Sequence, residues 1–121
     1  MDVRTKATNY RMTPKVEDYL GERLRALEKF LGEHAALARV EVELGRDAGR
    51  PRHGANIYFA EIHITYPGGK SVYATNRSES VNGAIDDVKE EVERQLRKQT
   101  RTSRSVVRKS GAKVKRMLRN T

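Results

Sequence analysis

The chain has 121 residues, enough for one small domain, and its lack of cysteine excludes disulfides and cysteine-based zinc sites. No stretch approaches the ~20 apolar residues that cross a membrane, and residues 1–6 lack the apolar core of a secretory leader, so we expect a cytoplasmic protein. The formal net charge is +9, but residues 1–96 hold 15 Lys and Arg against 16 Asp and Glu, whereas residues 97–121 hold 10 Lys and Arg and no acid. This positive segment indicates a polyanionic partner, with nucleic acid favoured over a basic tail kept for solubility.

The first 44 residues predict a strand, a helix and a second strand. Residues 2–7 alternate between charged and less polar side chains, which is typical of a strand with one face turned inward. Thr13 and Pro14 then predict the start of a helix, as its N-cap and its first residue. Apolar residues at intervals of three and four predict that this helix runs about five turns and ends at Gly32; they are Val16, Leu20, Leu24, Leu27 and Leu31. Residues 38–44 alternate again and predict a half-buried strand.

The middle of the chain predicts two more strands joined by a tight turn. Residues 45–54 are rich in glycine and basic side chains and predict a mobile hairpin loop. Residues 55–66 predict a strand whose apolar residues change phase near residues 59–61, for which a β-bulge, strong twist or burial of both faces would account. Residues 67–69, Pro-Gly-Gly, predict a turn, and residues 71–75 predict the returning antiparallel strand.

The last predicted helix spans residues 78–98, with Ser78 or Ser80 as its N-cap. Its apolar residues line one side at spacings of 4, 3, 4 and 4; they are Val81, Ile85, Val88, Val92 and Leu96. The order β-α-β-β-β-α predicts an α/β (α+β) two-layer sandwich, with a four-stranded mixed sheet, its first two strands parallel, and both helices on one face. This architecture is similar to a double-stranded RNA-binding domain. We predict a domain over residues 1–99 and a basic, disordered tail over residues 100–121.

No pattern of residues predicts catalysis or a bound group. The three histidines, His34, His53 and His63, lack the spacing that places two ligands on one helix face. Gly69-Lys70-Ser71 resembles the end of a phosphate-binding loop, but the first glycine of that motif would fall at Ile64, inside a predicted strand. We therefore expect no enzyme activity, catalytic residue, metal, cofactor or small-molecule substrate.

Two surfaces are candidates for RNA binding. The open sheet face would need exposed aromatic side chains for base stacking, and Tyr58 and Tyr73 alone favour a structural role. The helix surface instead carries cations suited to the RNA backbone rather than to base readout; they are Arg23, Arg25, Lys29, Lys89, Arg94, Arg97, Lys98 and Arg101. The tail adds Arg104, Arg108, Lys109, Lys113, Lys115, Arg116 and Arg119. Each of these cations by itself is as often a solvated surface charge as a phosphate ligand.

The element order and two sequence runs resemble the family of ribosome hibernation-promoting factors and ribosome-associated inhibitor A. The runs are Thr13 … Leu24-Arg25-Ala26-Leu27-Glu28-Lys29-Phe30 in the first helix, and Ala84-Ile85-Asp86 … Arg94-Gln95-Leu96 with Lys98 in the last. The resemblance covers about residues 1–100 and implies a factor that occupies the small-subunit channel for messenger RNA and for A- and P-site transfer RNA. It implies steric inhibition of translation under stress, with ribosomal RNA contacts from Arg23, Lys29, Arg94 and Lys98.

The chain departs from the family pattern at two places. Glu91 stands where the family usually has a lysine, so Lys89 or Arg97 would have to supply that phosphate contact. Long family members carry a second, dimerising domain, for which residues 100–121 leave no room, and inhibitor-type members have a more acidic tail. The resemblance therefore implies a short form and leaves ribosome dimerisation open.

We predict a translation inhibitor that binds the small (30S) ribosomal subunit and its rRNA and competes with messenger and transfer RNA. We expect no membrane partner and a monomer off the ribosome. The alternatives are an RNA-binding or RNA-chaperone module acting off the ribosome, and an interaction protein whose tail docks an acidic partner.

Overall fold

The structure, a computed structural model, describes residues 1–47 and 57–99. The strands are β1 (Asp2–Thr8), β2 (Arg39–Arg46), β3 (Tyr58–Tyr66) and β4 (Lys70–Ser78). The helices are α1 (Pro14–Arg25), α2 (Glu28–Leu31), a 3-10 helix (Gly32–Leu37) and α3 (81–99). The predicted hairpin loop beyond residue 47 and the predicted tail from residue 100 lie outside the described residues.

The strands form one mixed sheet in the order β1-β2-β3-β4, with β1 and β2 parallel and the later pairs antiparallel. Paired residues share a side of the sheet, so the register that aligns Val42, Ile62 and Ala74 places all three on one face, here called the helix-side face. This face and the helices bury one apolar core. Its largest side chains under 2% exposed are Leu27, Leu44, Ile62, Ile64, Ile85, Leu96, Val40, Val72, Val88 and Val92. The predicted two-layer fold is confirmed.

Side-chain caps begin both long helices where the sequence predicts them. The Thr13 hydroxyl accepts a hydrogen bond from the Val16 amide at 3.3 Å, and Pro14 occupies the first helical position. The Ser80 hydroxyl likewise accepts a hydrogen bond from the Gly83 amide at 3.0 Å. Of the two predicted caps for α3, Ser80 is therefore confirmed.

The first helical segment is interrupted, whereas a continuous helix was predicted. The Leu27 amide donates to the Leu24 carbonyl at 3.0 Å, and the Phe30 amide donates to the Leu27 carbonyl at 3.1 Å. These bonds span three residues instead of four, so the chain tightens between α1 and α2 while Leu27 stays fully buried. The predicted end at Gly32 is confirmed, because its φ of +57° suits a glycine and ends α2.

The phase change in β3 comes from a residue that packs on the other face of the sheet. β3 pairs with β2 and β4 in an uninterrupted register, so the β-bulge interpretation was wrong. Ala60 takes the helix-side position at 0% exposed, and Phe59 lies on the opposite, open face across from Gly45 and Arg77. A Cβ at Gly45 would run into the Phe59 ring, and the Arg77 guanidinium lies 5.7 Å from the ring centre. Apolar burial on both faces is therefore the account that fits.

The helices cover the helix-side face unequally. Val3 of β1 pairs with Val40 of β2 and points to the same side, yet Val3 is 41% exposed and Val40 is 0% exposed. Thr5 and Ala7, which follow Val3 on that side, are also exposed. The inward-facing side predicted for β1 is thus correct in direction, but the helical layer leaves this edge strand uncovered.

We expect Val40→Ala to lower the free energy of unfolding by about 2 kcal/mol, since it removes two methyl groups from a filled core. Val3→Ala is the matched control, because it makes the same change on the neighbouring strand at an exposed position. Urea unfolding of both variants measures this change. The free energy of unfolding of Val3→Ala should lie within about 1 kcal/mol of that of the parent. Equal losses in the two variants would contradict the described cover of the sheet.

Candidate nucleic-acid interface

The predicted cations of α3 divide between two sides of the helix. The Arg97 guanidinium lies 5.3 Å from the centre of the Phe30 ring of α2, so Arg97 faces the α1–α2 segment. Lys98 instead lines a cleft with Lys70 of β4, on the other side of α3. The cations that the sequence assigns to the helix surface are therefore in two separate groups.

Arg23 joins α1 to α3. The Tyr19 hydroxyl donates to Asp86 Oδ1 at 2.5 Å, and Arg23 Nη2 donates to the Tyr19 hydroxyl oxygen at 3.0 Å. Arg23 Nε lies 3.2 Å from Asp86 Oδ1, which is an ion pair without hydrogen-bond alignment. The hydrogen bond to Tyr19 raises the pKa of Arg23, so the guanidinium stays charged, and 43% of the side chain is exposed. Arg23 thus positions the helices and still presents charge to solvent.

Two cations from different helices meet at one aromatic ring. Lys29 Nζ lies 5.0 Å and Arg97 Cζ lies 5.3 Å from the centre of the Phe30 ring. Both distances fit cation–π contacts, which hold long side chains in place without neutralising their charge. Lys29 and Arg97, here called the Phe30 cation pair, are both exposed.

Glu93 neutralises part of this side of α3. Lys89 Nζ bonds to Glu93 Oε2 at 2.7 Å, and Arg97 bonds to Oε1 of the same carboxylate. The hydrogen bond from Lys89, followed by the charges of Lys89 and Arg97, holds the pKa of Glu93 below its ordinary value. The side chains of Glu93 and Lys89 are 14% and 20% exposed, whereas that of Arg97 is 56% exposed. Arg97 is therefore the better placed of the two residues for contact with an external phosphate.

The side of α3 next to β4 carries a second ion pair and a pair of amide contacts. Arg94 bonds to Glu91, and Gln95 Nε2 donates to the other Glu91 oxygen at 3.2 Å. Gln95 Nε2 also donates to the Tyr73 carbonyl at 2.9 Å, while its Oε1 accepts from the Tyr73 amide at 3.3 Å. Glu91, at the position where a lysine is usual in the resembled family, therefore offsets the charge of Arg94 and orients Gln95.

The remaining predicted site residues are not gathered into either group. Arg25 is exposed on the last turn of α1. Arg101 and the predicted tail ligands lie outside the described residues; the latter are Arg104, Arg108, Lys109, Lys113, Lys115, Arg116 and Arg119. Lys70 was not among the predicted site residues, although Gly69-Lys70-Ser71 was singled out, because it begins a strand and therefore shows no helical periodicity.

The open face of the sheet offers little to RNA bases. Tyr73 is 52% exposed and packs edge-on to His63 at 6.0 Å between ring centres. Tyr58 lies on the helix-side face and packs edge-on to Tyr10 at 6.2 Å.

Within residues 1–47 and 57–99, no cluster of acidic and histidine side chains could hold a metal ion. Over the same ranges, no helix has the length and apolar character to cross a membrane.

Comparison with known proteins connects this architecture to a family. Residues 3–104 match the model of the family described as Sigma 54 modulation protein / S30EA ribosomal protein. The chain belongs to this family. The family prediction made from the element order and the two helix runs is confirmed, and S30EA membership supports a ribosome-associated role. Comparison with curated protein sequences gave no significant match.

Two solved structures share the fold of this S30EA chain. The Protein Y N-terminal domain of Thermus thermophilus is 22% identical, with a TM-score of 0.65 and coverage of 81% of this chain and 98% of that one. A ribosomal subunit interface protein from Coxiella burnetii is 12% identical, with a TM-score of 0.65 and coverage of 82% and 97%. At these identities the likeness establishes the fold.

Glu93→Gln is expected to reduce the amount by which the free energy of unfolding falls at acidic pH. Because the pKa of Glu93 is lowered in the folded state, its contribution is complete above the unfolded value near 4.5 and is lost as pH falls through the folded value. Urea unfolding at about pH 7 and about pH 3 should show a smaller difference for this variant than for the parent. Glu90→Gln, at an exposed position of the same helix, is the control. An unchanged difference in Glu93→Gln would contradict the described pairing.

Proposed function

We propose that this protein is a translation inhibitor that binds the small (30S) ribosomal subunit and keeps ribosomes idle under stress. S30EA membership supports the ribosome as partner, and one protein of similar fold is described as a ribosomal subunit interface protein. The observation that carries the proposal is the Phe30 cation pair, in which exposed cations from two helices share one surface beside the same aromatic ring. Such a surface suits the phosphate backbone of folded RNA.

Inhibition would be steric and would require no chemical step. Bound at the channel for messenger RNA and for A- and P-site transfer RNA, the domain would exclude both. Residues 100–121 hold 8 Lys and Arg and no acid, and would add phosphate contacts beyond the domain. The site of action would be cytoplasmic, with a monomer off the ribosome.

Arg23 would support this binding in two ways. Its contacts with Tyr19 and Asp86 fix the relation of α1 to α3, which sets the position of the neighbouring cations. Its exposed fraction also leaves the guanidinium accessible to a phosphate. Cations that are ordered before binding lose less conformational entropy when RNA contacts them.

Co-sedimentation of the full chain with ribosomes and separated subunits, at low and moderate salt, tests the proposal directly. We expect saturable, near-stoichiometric binding to the small subunit that is lost when bound transfer RNA fills the channel. Binding that never saturates, or that free RNA competes away equally well, would favour an RNA-binding module acting off the ribosome.

Lys29→Ala and Arg97→Ala are each expected to weaken small-subunit binding about tenfold, because each removes a charged phosphate ligand. Each should also reduce the slope of log affinity against log salt by about 0.7 to 0.9. Lys6→Ala removes the same charge from the open face and is the control. Binding isotherms at several salt concentrations measure the affinity and its salt slope. If Lys6→Ala binds the small subunit as weakly as Arg97→Ala does, an interface on the helix face is contradicted.

A further inference from the structure

Two glutamines of α3 join this helix to the outer edge of β4. Gln95 makes two hydrogen bonds to the backbone of Tyr73, at 2.9 and 3.3 Å. One turn later, Gln99 Nε2 donates to the Ser71 carbonyl at 2.8 Å, and the Tyr66 hydroxyl donates to Gln99 Oε1. These amides satisfy backbone groups on the free edge of β4, as a neighbouring strand would. The helix and the strand edge are thereby held together at two points.

Two separate clefts lie between α3 and β4, and their charges are opposite. The first is a cleft of about 250 Å³ lined by Asn76, Asp87, Glu90, Glu91 and Arg94. The second is a cleft of about 630 Å³ lined by Gly69, Lys70, Ser71, Gln95, Lys98 and Gln99. Three carboxylates accompany a single guanidinium in the first cleft, whereas two ammonium groups line the second.

The chemistry of the basic cleft suits a phosphodiester. Lys70 approaches from the strand and Lys98 from the helix, so two cations from separate elements border one space. Gly69, which also borders the cleft, has no side chain to narrow the entrance. Lysine binds phosphate as a point charge and does not need the planar alignment that arginine requires.

The acidic cleft is unfavourable for the same ligand. Glu91 already bonds to Arg94, and the net negative charge of that cleft repels a phosphate. A phosphate of an RNA strand beside β4 would therefore lie at the Lys70–Lys98 cleft.

We propose that the cleft between Lys70 and Lys98 is a phosphate-binding subsite for the backbone of ribosomal RNA, separate from the Phe30 cation pair. This inference rests on the proposed function and adds a contact surface on the β4 side of α3. RNA would then contact α3 from both sides, one backbone segment at the Phe30 cation pair and another at this cleft.

The test measures binding of the full chain to purified small subunits over a series of salt concentrations. Lys70→Ala and Lys98→Ala should each weaken binding about tenfold and reduce the salt slope by about 0.7 to 0.9, as loss of one phosphate contact requires. The double variant should weaken binding less than the product of the two single effects, because both lysines serve one phosphate. Lys6→Ala is again the matched control, and circular dichroism verifies that each variant is folded.

A Lys70 variant that binds like the Lys6 variant would overturn this subsite while leaving ribosome binding intact. If the parent chain fails to bind small subunits at all, the proposed function is wrong, and the same variants are then measured on a short RNA duplex. Loss of duplex binding in Lys70→Ala but not in Lys6→Ala would retain the cleft as a backbone site. No duplex binding by the parent would exclude it.

Glu91→Lys provides a test in the opposite direction. It changes the acidic cleft from three carboxylates and one cation to two of each, which removes the net negative charge. It should therefore strengthen small-subunit binding several-fold with a steeper salt slope, whereas Glu91→Gln should produce a smaller gain. Weaker binding by Glu91→Lys than by Glu91→Gln would contradict the electrostatic effect assigned to the acidic cleft.

Discussion

The apolar stripe of α3 is buried by packing on the sheet, and this constraint places the polar side chains on both sides of the helix. Val88, Val92 and Ile85 are fully buried against the sheet, and each such burial is worth about 1.5 to 3 kcal/mol. The exposed ion pairs on the same helix are each worth about 0 to 1 kcal/mol. Packing therefore decides the position of α3, and the polar contacts follow from it.

The two sides of α3 meet different neighbours and acquire different chemistry as a result. Towards α1, Asp86 receives the Tyr19 hydroxyl and the Arg23 guanidinium, so the helix is tied to a second helix by groups that remain partly exposed. Towards β4, Gln95 and Gln99 bond to the edge of a strand, where neutral amides can both donate and accept. On each side of α3, a cation therefore lies next to an element to which the helix is joined by hydrogen bonds.

Acidic residues determine which of these cations keep their charge available. Glu93 offsets Lys89, and Glu91 offsets Arg94, in each case within one turn of α3. Arg97 also bonds to Glu93 but retains an exposed contact with the Phe30 ring. A nearly neutral domain with a few exposed cationic groups is expected to bind less to polyanions in general than one with uniform positive charge, which favours a defined site.

Local sequence patterns predicted most of the helices and strands. They failed where the residue that determines a contact is distant in sequence. Caps at Thr13 and Ser80 are encoded within four residues of the amides they bind, so they could be predicted. The position of Phe59 could not, because its ring packs over Gly45 of another strand. The interruption near Leu27 was also missed, since apolar spacing is nearly the same in an α-helical and a slightly tighter turn.

The sequence by itself determined the order of the elements, the strand directions, the buried stripe of each helix and the family, because these depend on local periodicity and on contiguous runs. It also identified which residues carry positive charge. Only the tertiary structure decided which of those charges share a surface. Lys29 and Arg97 are far apart in the chain and meet at Phe30, whereas the adjacent residues Arg97 and Lys98 lie on different sides of α3. The reason is geometric, since each residue turns about 100° around a helix and the fold supplies a different neighbour in each direction.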